Sequence, residues 1–176
     1  RALGVRTVFN LLGPLTNPAE PPFGLIGAYS RDAARLMAET LAGMPIQRVF
    51  VVHGEPGWDE PTPCGPFELY DVTPEHVVRT ERDPLDCGLA RCTPQSLAGG
   101  DAARNATGMR AVFTGQDRGS HRDALVLNAA LALEVTGTVA DPHAAIRAAS
   151  DALDRGDGAR LLEKLATFGR SIGGAP

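Results

Sequence analysis

The sequence predicts an α/β fold, with a mostly parallel sheet flanked by helices. Three observations predict it. Two short apolar runs, residues 23–29 (FGLIGAY) and 49–52 (VFVV), bracket a helical pattern at 31–41, the spacing of a βαβ unit with a right-handed crossover. The last third reads as a series of capped helices. The chain has 176 residues, 43% hydrophobic and 22% charged, which suits one soluble domain or most of one and argues against disorder.

The elements follow in order. Residues 1–12 read as a helix that stops before Gly13-Pro14. Residues 15–22 are a turn-rich loop in which each proline removes a backbone donor. The strand at 23–29 leads to Ser30, an N-cap for the helix at 31–41, with Gly43 just past its end. The strand at 49–52 runs into a loop at 53–60. Residues 67–72 and 76–80 are short strand candidates around Thr73-Pro74. Residues 81–100 read as irregular, broken by Pro84 and Pro94. Asp101 caps a helix ended by Gly115, and His121 lies near the start of one ended by Gly137. Asp141-Pro142 starts a third, ended by Gly156, and Asp157 opens the last, to about Phe168. A frayed tail is expected after Gly169, so the domain is placed at 1–170 and the tail at 171–176.

Composition narrows the functional classes. A net charge of −4 gives no electrostatic reason to expect nucleic acid. No run approaches the roughly 18 apolar residues of a membrane span. The opening RALGVRTVFN lacks a signal peptide's basic-then-apolar design, so a cytoplasmic protein is expected. Lys164 is the sole lysine among 17 basic residues, a bias that reads first as one of coding and only second as arginines suited to phosphate and carboxylate. Cys64, Cys87 and Cys92 are odd in number and lack CxxC spacing, so reduced thiols are expected. The chain opens without Met, inside a patterned segment, and a cut from a larger protein is expected.

Three stretches carry candidate chemistry. In Val49-Phe50-Val51-Val52-His53-Gly54 followed by Gly57-Trp58-Asp59-Glu60, adjacent carboxylates follow a buried strand. Ligands of open α/β sheets bind outside the carboxyl ends of strands. Two hard oxygen ligands side by side suit Mg²⁺, and the same letters also fit a solvated acidic turn. His53 has no second histidine at ligand spacing and reads as a hydrogen-bonded structural residue. The second stretch, residues 6–18, threads Arg6, Asn10, Thr16 and Asn17 through apolar positions around the Gly13-Pro14 bend. It fits either the wall of a pocket for a flat organic ligand or a capped helix–loop junction. The third, Gly99-Gly100-Asp101, reads as a structural cap, because Asp101 occupies the helix-start donors and repels an anion. No GxGxxG, Walker or GxSxG motif is present.

With these residues in view, the sequence resembles the C-terminal portion of the anthranilate phosphoribosyltransferases. The resemblance covers almost the whole chain. RALGVRTVFNLLGPLTNPA is close to that family's hallmark segment, VVHGEPGWDE matches its HGxxGxDE element, and GGDAARNA, LVLNAALAL and the Asp-Arg-Gly-Asp-Gly-Ala helix match its closing helices. The resemblance implies the nucleoside phosphorylase/phosphoribosyltransferase type of C-terminal domain. The implied reaction moves phosphoribose from 5-phosphoribosyl 1-diphosphate to anthranilate, releasing diphosphate, in tryptophan biosynthesis. It implies that Asp59 and Glu60 hold Mg²⁺ on the diphosphate. Diphosphate leaves poorly unless its charge is neutralised. The sugar carbon passes through an oxocarbenium-like state, so positioning and electrostatics dominate. The Gly13-Pro14 bend is implied to line the anthranilate tunnel. A homodimer is implied for the full-length protein, with no nucleic acid or membrane partner.

The departures from the family pattern matter. Its phosphoribosyl-diphosphate loop, its Asn-x-Ser-Thr and Lys-His-Gly-Asn motifs and its helical dimerisation domain all correspond to sequence upstream of Arg1. A fragment of this kind is expected to be inactive alone. The family's anthranilate-contacting Arg maps one residue ahead of Arg1, which makes Arg1 its neighbour; a slip of one residue would give Arg1 that role. Arg1 and Gly13 are the substrate-binding candidates. Trp58 stands where the family has Leu. Two alternatives are a pyrimidine nucleoside phosphorylase-like enzyme of the same fold and a non-catalytic module that keeps the fold only.

Overall fold

One helical crossover sets the direction of the sheet. A computed structural model describes Leu15 and residues 17–172. The expected helix at 1–12, the Gly13-Pro14 bend and the candidates Arg1 and Gly13 lie outside the described residues. Strand β1 (Phe23–Gly27) leads through helix α1 (Arg31–Leu41) to β2 (Arg48–Gly54), and β1 and β2 pair in parallel. Ser30 caps α1 as its sequence position predicts, its Oγ accepting from the Ala33 N–H at 3.2 Å.

The remaining strands are antiparallel. β3 (Phe67–Val72) pairs with β2, and β4 (Val77–Arg82) pairs with β3, in the order β1-β2-β3-β4. The sheet is therefore mixed, and its parallel share is smaller than the sequence suggests: among the described residues, β1–β2 is its one parallel pairing. The cause is the connections. Parallel neighbours need a crossover of a dozen or more residues, usually helical. No α-helix lies between β2 and β3, and β3 turns directly into β4.

Each face of the sheet has its own core. Ala33, Ala34, Met37, Ala38 and Leu41 of α1 pack on Val49, Val51, Tyr70 and Val72. The other face carries Phe50, Val52, Phe67 and Leu69. Helices α3 (Ser120–Val135) and α4 (Pro142–Asp154) cover it with Val126, Leu127, Ala130, Leu131, Ala145 and Ile146. Strand period-2 alternation delivers residues to the two sides in turn.

The segment expected to be irregular contains two 3-10 turns, Pro84–Cys87 and Pro94–Leu97, each opening on a breaker proline. Helix α2 (Ala102–Phe113) is capped by Asp101, and α4 by Asp141, through 2.8 and 2.7 Å bonds to backbone N–H groups. Gly115, Gly137 and Gly156 follow their helices in left-handed conformation, as their positions predict. Helix α5 (Asp157–Ile172) continues through Gly169, beyond the expected frayed end. Its last turns are tied by Arg170 to Thr167 and by Ser171 to the Phe168 carbonyl.

Buried charge joins sheet and helices. Arg48 makes a two-pronged bond to Asp71 at 2.8 and 2.6 Å, donates to the Glu134 carbonyl and stacks over the Phe50 ring. Arg82 of β4 bonds Glu134 of α3 at 2.7 Å on one side of the sheet. Arg79 of the same strand bonds the buried Glu68 on the other. No helix among the described residues is long and apolar enough to cross a membrane.

Candidate functional site

β1 and β2 run in the same direction, so their carboxyl ends, Gly27 and Gly54, share one edge of the sheet. The chain turns tightly after Gly54. The Gly54 N–H donates to the Trp58 carbonyl at 3.0 Å, and the N–H groups of Gly57 and Trp58 donate back to the Gly54 carbonyl. Gly57 has φ of +113°, a conformation that strains any residue with a Cβ. This turn brings Asp59 and Glu60 back across the strand ends.

The sheet holds the pair by close backbone approach. A Cβ on Gly27 would lie 1.6 Å from the Asp59 carbonyl oxygen, and one on Gly54 would lie 2.3 Å from that of Glu60. Only glycine fits at either place. The side chains of Asp59 and Glu60 are exposed, while Pro61, Thr62 and Pro63 just behind them are fully buried. Asn128 of α3 donates to the Pro61 carbonyl at 2.9 Å and to Ala124 of its own helix. The two carboxylates therefore stand on a backbone fixed by β1, β2 and α3, with their oxygens free to face a ligand.

This donor set fits Mg²⁺. Hard carboxylate oxygens match a hard cation that keeps several waters and binds through one or two carboxylates plus phosphate oxygens. It does not resemble an all-protein metal cage: among the described residues no three His, Cys, Asp or Glu come together to hold a metal. His53 behaves as the sequence implies. Its Nδ1 donates to the Ala28 carbonyl at 2.8 Å, steadying the end of β2 against the residue that follows β1. Arg31, from the first turn of α1, lies 3.7 Å from Glu55 at the start of the acidic loop.

The other sequence features resolve as local structure. Asp101 caps α2, and the neighbouring Gly100 N–H is taken by Asn105 Oδ1 at 2.7 Å, so that amide is not available to a phosphate. His121 lies exposed beside Asp117. A cavity of about 480 Å³, lined by Leu15, Asn17, Phe23, Leu41, Met44 and Val49 among others, sits at the amino ends of β1 and β2, away from the acidic pair. Gly27 and Asn128 escaped the sequence reading as site residues. The signals were present, as a glycine closing a strand and the lone polar residue in LVLNAALAL, but neither names its partner.

The exposed acidic pair thus sits at the carboxyl edge of a parallel βαβ unit, the edge at which ligands of α/β domains bind. The sequence profile of the glycosyl transferase family a/b domain matches residues 1–159, and the chain belongs to that family. Within it, the chain is similar to anthranilate phosphoribosyltransferases. It is 40% identical over 168 residues to that of Desulforudis audaxviator, covering 96% of this chain and 48% of the relative. It is 42% identical over 172 residues to that of Rubrobacter xylanophilus, covering 98% and 50%. The crystal structure of the Thermus thermophilus anthranilate phosphoribosyltransferase superposes with a TM-score of 0.86 at 35% identity, over 96% of this chain and 50% of that one. The Saccharomyces cerevisiae enzyme in complex with PRPP and Mg gives 0.82 at 26% identity, over 92% and 47%. The chain thus spans about half the length of the relatives it matches.

Proposed function

We propose that this chain is the C-terminal α/β catalytic domain, residues 1–170, of a cytoplasmic, homodimeric anthranilate phosphoribosyltransferase. The whole protein transfers phosphoribose from 5-phosphoribosyl 1-diphosphate to the amine of anthranilate and releases diphosphate. One observation carries the reading: Asp59 and Glu60 are clamped across the carboxyl ends of two parallel strands with their carboxylates exposed. The relatives' names support the reaction, and the yeast complex with PRPP and Mg supports the metal.

In this mechanism Asp59 and Glu60 are the residues that would hold Mg²⁺. Mg²⁺ supplies charge neutralisation to the leaving group, worth several kcal/mol of transition-state stabilisation. The chain's own task is positioning. Gly27, Gly54 and Asn128 fix the acidic backbone beforehand, so little reorganisation accompanies the reaction. Arg1 and Gly13 are the proposed anthranilate-side residues. The test is the double substitution Asp59→Asn with Glu60→Gln in the full-length protein. Mg²⁺-dependent turnover is expected to vanish while the fold, read by circular dichroism, is retained. Unchanged turnover overturns the proposal.

A further inference from the structure

Behind the acidic pair, the loop that leaves β2 meets the segment that follows β4. The contact has two parts. The Cys92 N–H donates to the Pro63 carbonyl at 3.1 Å, which locks the two backbones together one residue from Cys64. The Cys64 and Cys92 sulfurs then lie 3.5 Å apart. Both side chains are half-buried, shielded by the loop contact yet not sealed from solvent. Each partner is also held from its own side. The Cys64 N–H donates to Thr62 Oγ1, and Arg91, next to Cys92, pairs with Asp83 at 2.6 Å. The remaining cysteine, Cys87, packs instead against the core beneath β2 and β3.

We propose that Cys64 and Cys92 form a dithiol modification site that reacts with low-molecular-weight disulfides and closes to an intrachain disulfide. A disulfide needs sulfurs about 2.05 Å apart, so closure takes a shift of about 1.5 Å, within reach of side-chain rotation when the backbones are already joined. The chemistry is thiol–disulfide exchange. The thiolate of one cysteine attacks a sulfur of glutathione disulfide, forms a mixed disulfide and expels one glutathione thiolate. The second cysteine loses its proton, attacks the protein sulfur of the mixed disulfide and expels the other. Two thiols of the chain are oxidised, and one glutathione disulfide is reduced to two glutathiones. Burial pushes the Cys64 thiol above its ordinary range, and Thr62 and, less strongly, the positive Arg91 act in the opposite direction. The product fastens the segment from Cys64 back to Asp59 onto residues 83–92. This inference rests on the sulfur geometry and stands apart from the assignment of the reaction.

The experiment equilibrates the full-length protein in buffers of reduced and oxidised glutathione, then maps the peptides of this domain without reduction. The expected Cys64–Cys92 peptide pair is cross-linked and about 2 Da lighter than the two thiol peptides together, and the Cys87 peptide keeps its free thiol. Cys87→Ser should close as the parent does. In Cys64→Ser the resolving thiol is missing, so glutathione should remain on Cys92 as a stable adduct. Amide exchange over residues 59–66 should slow by about tenfold on oxidation. A lasting glutathione adduct on the parent chain, a cross-link to Cys87 or between chains, or no oxidation at all overturns the proposal. An unchanged exchange rate in the cross-linked chain overturns the tether.

Discussion

Asn128 on α3 donates its side-chain amide to the Pro61 carbonyl across 2.9 Å, tying a helix to the residue that follows Glu60. Its second amide hydrogen goes to Ala124, so both are used. Asn128→Leu keeps the volume and the helix but removes the donor from a fully buried proline. Urea unfolding should show a loss of about 1–3 kcal/mol. On the proposed reaction, half-maximal activity of the full-length protein should require more Mg²⁺, while the KM for anthranilate stays unchanged.

Two glycines of β1 form a controlled comparison. Gly27→Ala drives a Cβ into the Asp59 carbonyl, whereas Gly24→Ala meets Val49 at an ordinary 3.4 Å. Thermal melts should show a loss of about 1–3 kcal/mol for the first. The second should change stability by less than about 1 kcal/mol.

Acid sensitivity should localise to Asp83. The Arg91 guanidinium holds its carboxyl below the ordinary value of 3.8. A carboxyl depressed in the folded state contributes stability above its unfolded pKa and loses it as pH falls through the lower folded value. Asp83→Asn keeps an acceptor for the Leu85 N–H but removes the charge and the second oxygen, which accepts from Arg91. It should cost about 1 kcal/mol at pH 7, and the two melting curves should converge as the pH falls below the folded-state pKa of Asp83.

Glu134→Ala should be the most damaging of these changes to the sheet–helix junction. It strips the partner from Arg82, whose side chain is 30% exposed, and removes a 6% exposed carboxylate from the end of α3. An unpaired, partly buried guanidinium should cost about 2–3 kcal/mol in chemical denaturation. Glu134→Gln should recover part of that loss.

Local physics made much of this fold legible in advance. Ser30, Asp101 and Asp141 act as caps within three residues of their partners, and the glycines after α2, α3 and α4 stop them in place. The βαβ unit was legible because its spacing admits only a crossover. The direction of β3 and β4 was not, since short apolar runs carry no arrow and the parallel reading was carried over from β1 and β2. Asp59 and Glu60 stood out because a strand end precedes them. Their supports did not: Gly27 lies on the neighbouring strand, and Asn128 is 67 positions from Pro61. The Arg48–Asp71 and Arg82–Glu134 pairs lie 23 and 52 positions apart, so only the folded chain joins them.

The outermost strand of the sheet has a protective consequence. β4 is solvent-facing along most of its length and exposes Val77 and Val78, which by themselves would invite a foreign strand to add on. Its two arginines are anchored on opposite faces of the sheet, Arg79 to Glu68 of β3 and Arg82 to Glu134 of α3, with Glu81 between them. An incoming chain would have to bury those charges or pry them loose. This margin therefore resists fibril-like stacking at the very place where hydrogen-bonding groups are still on offer.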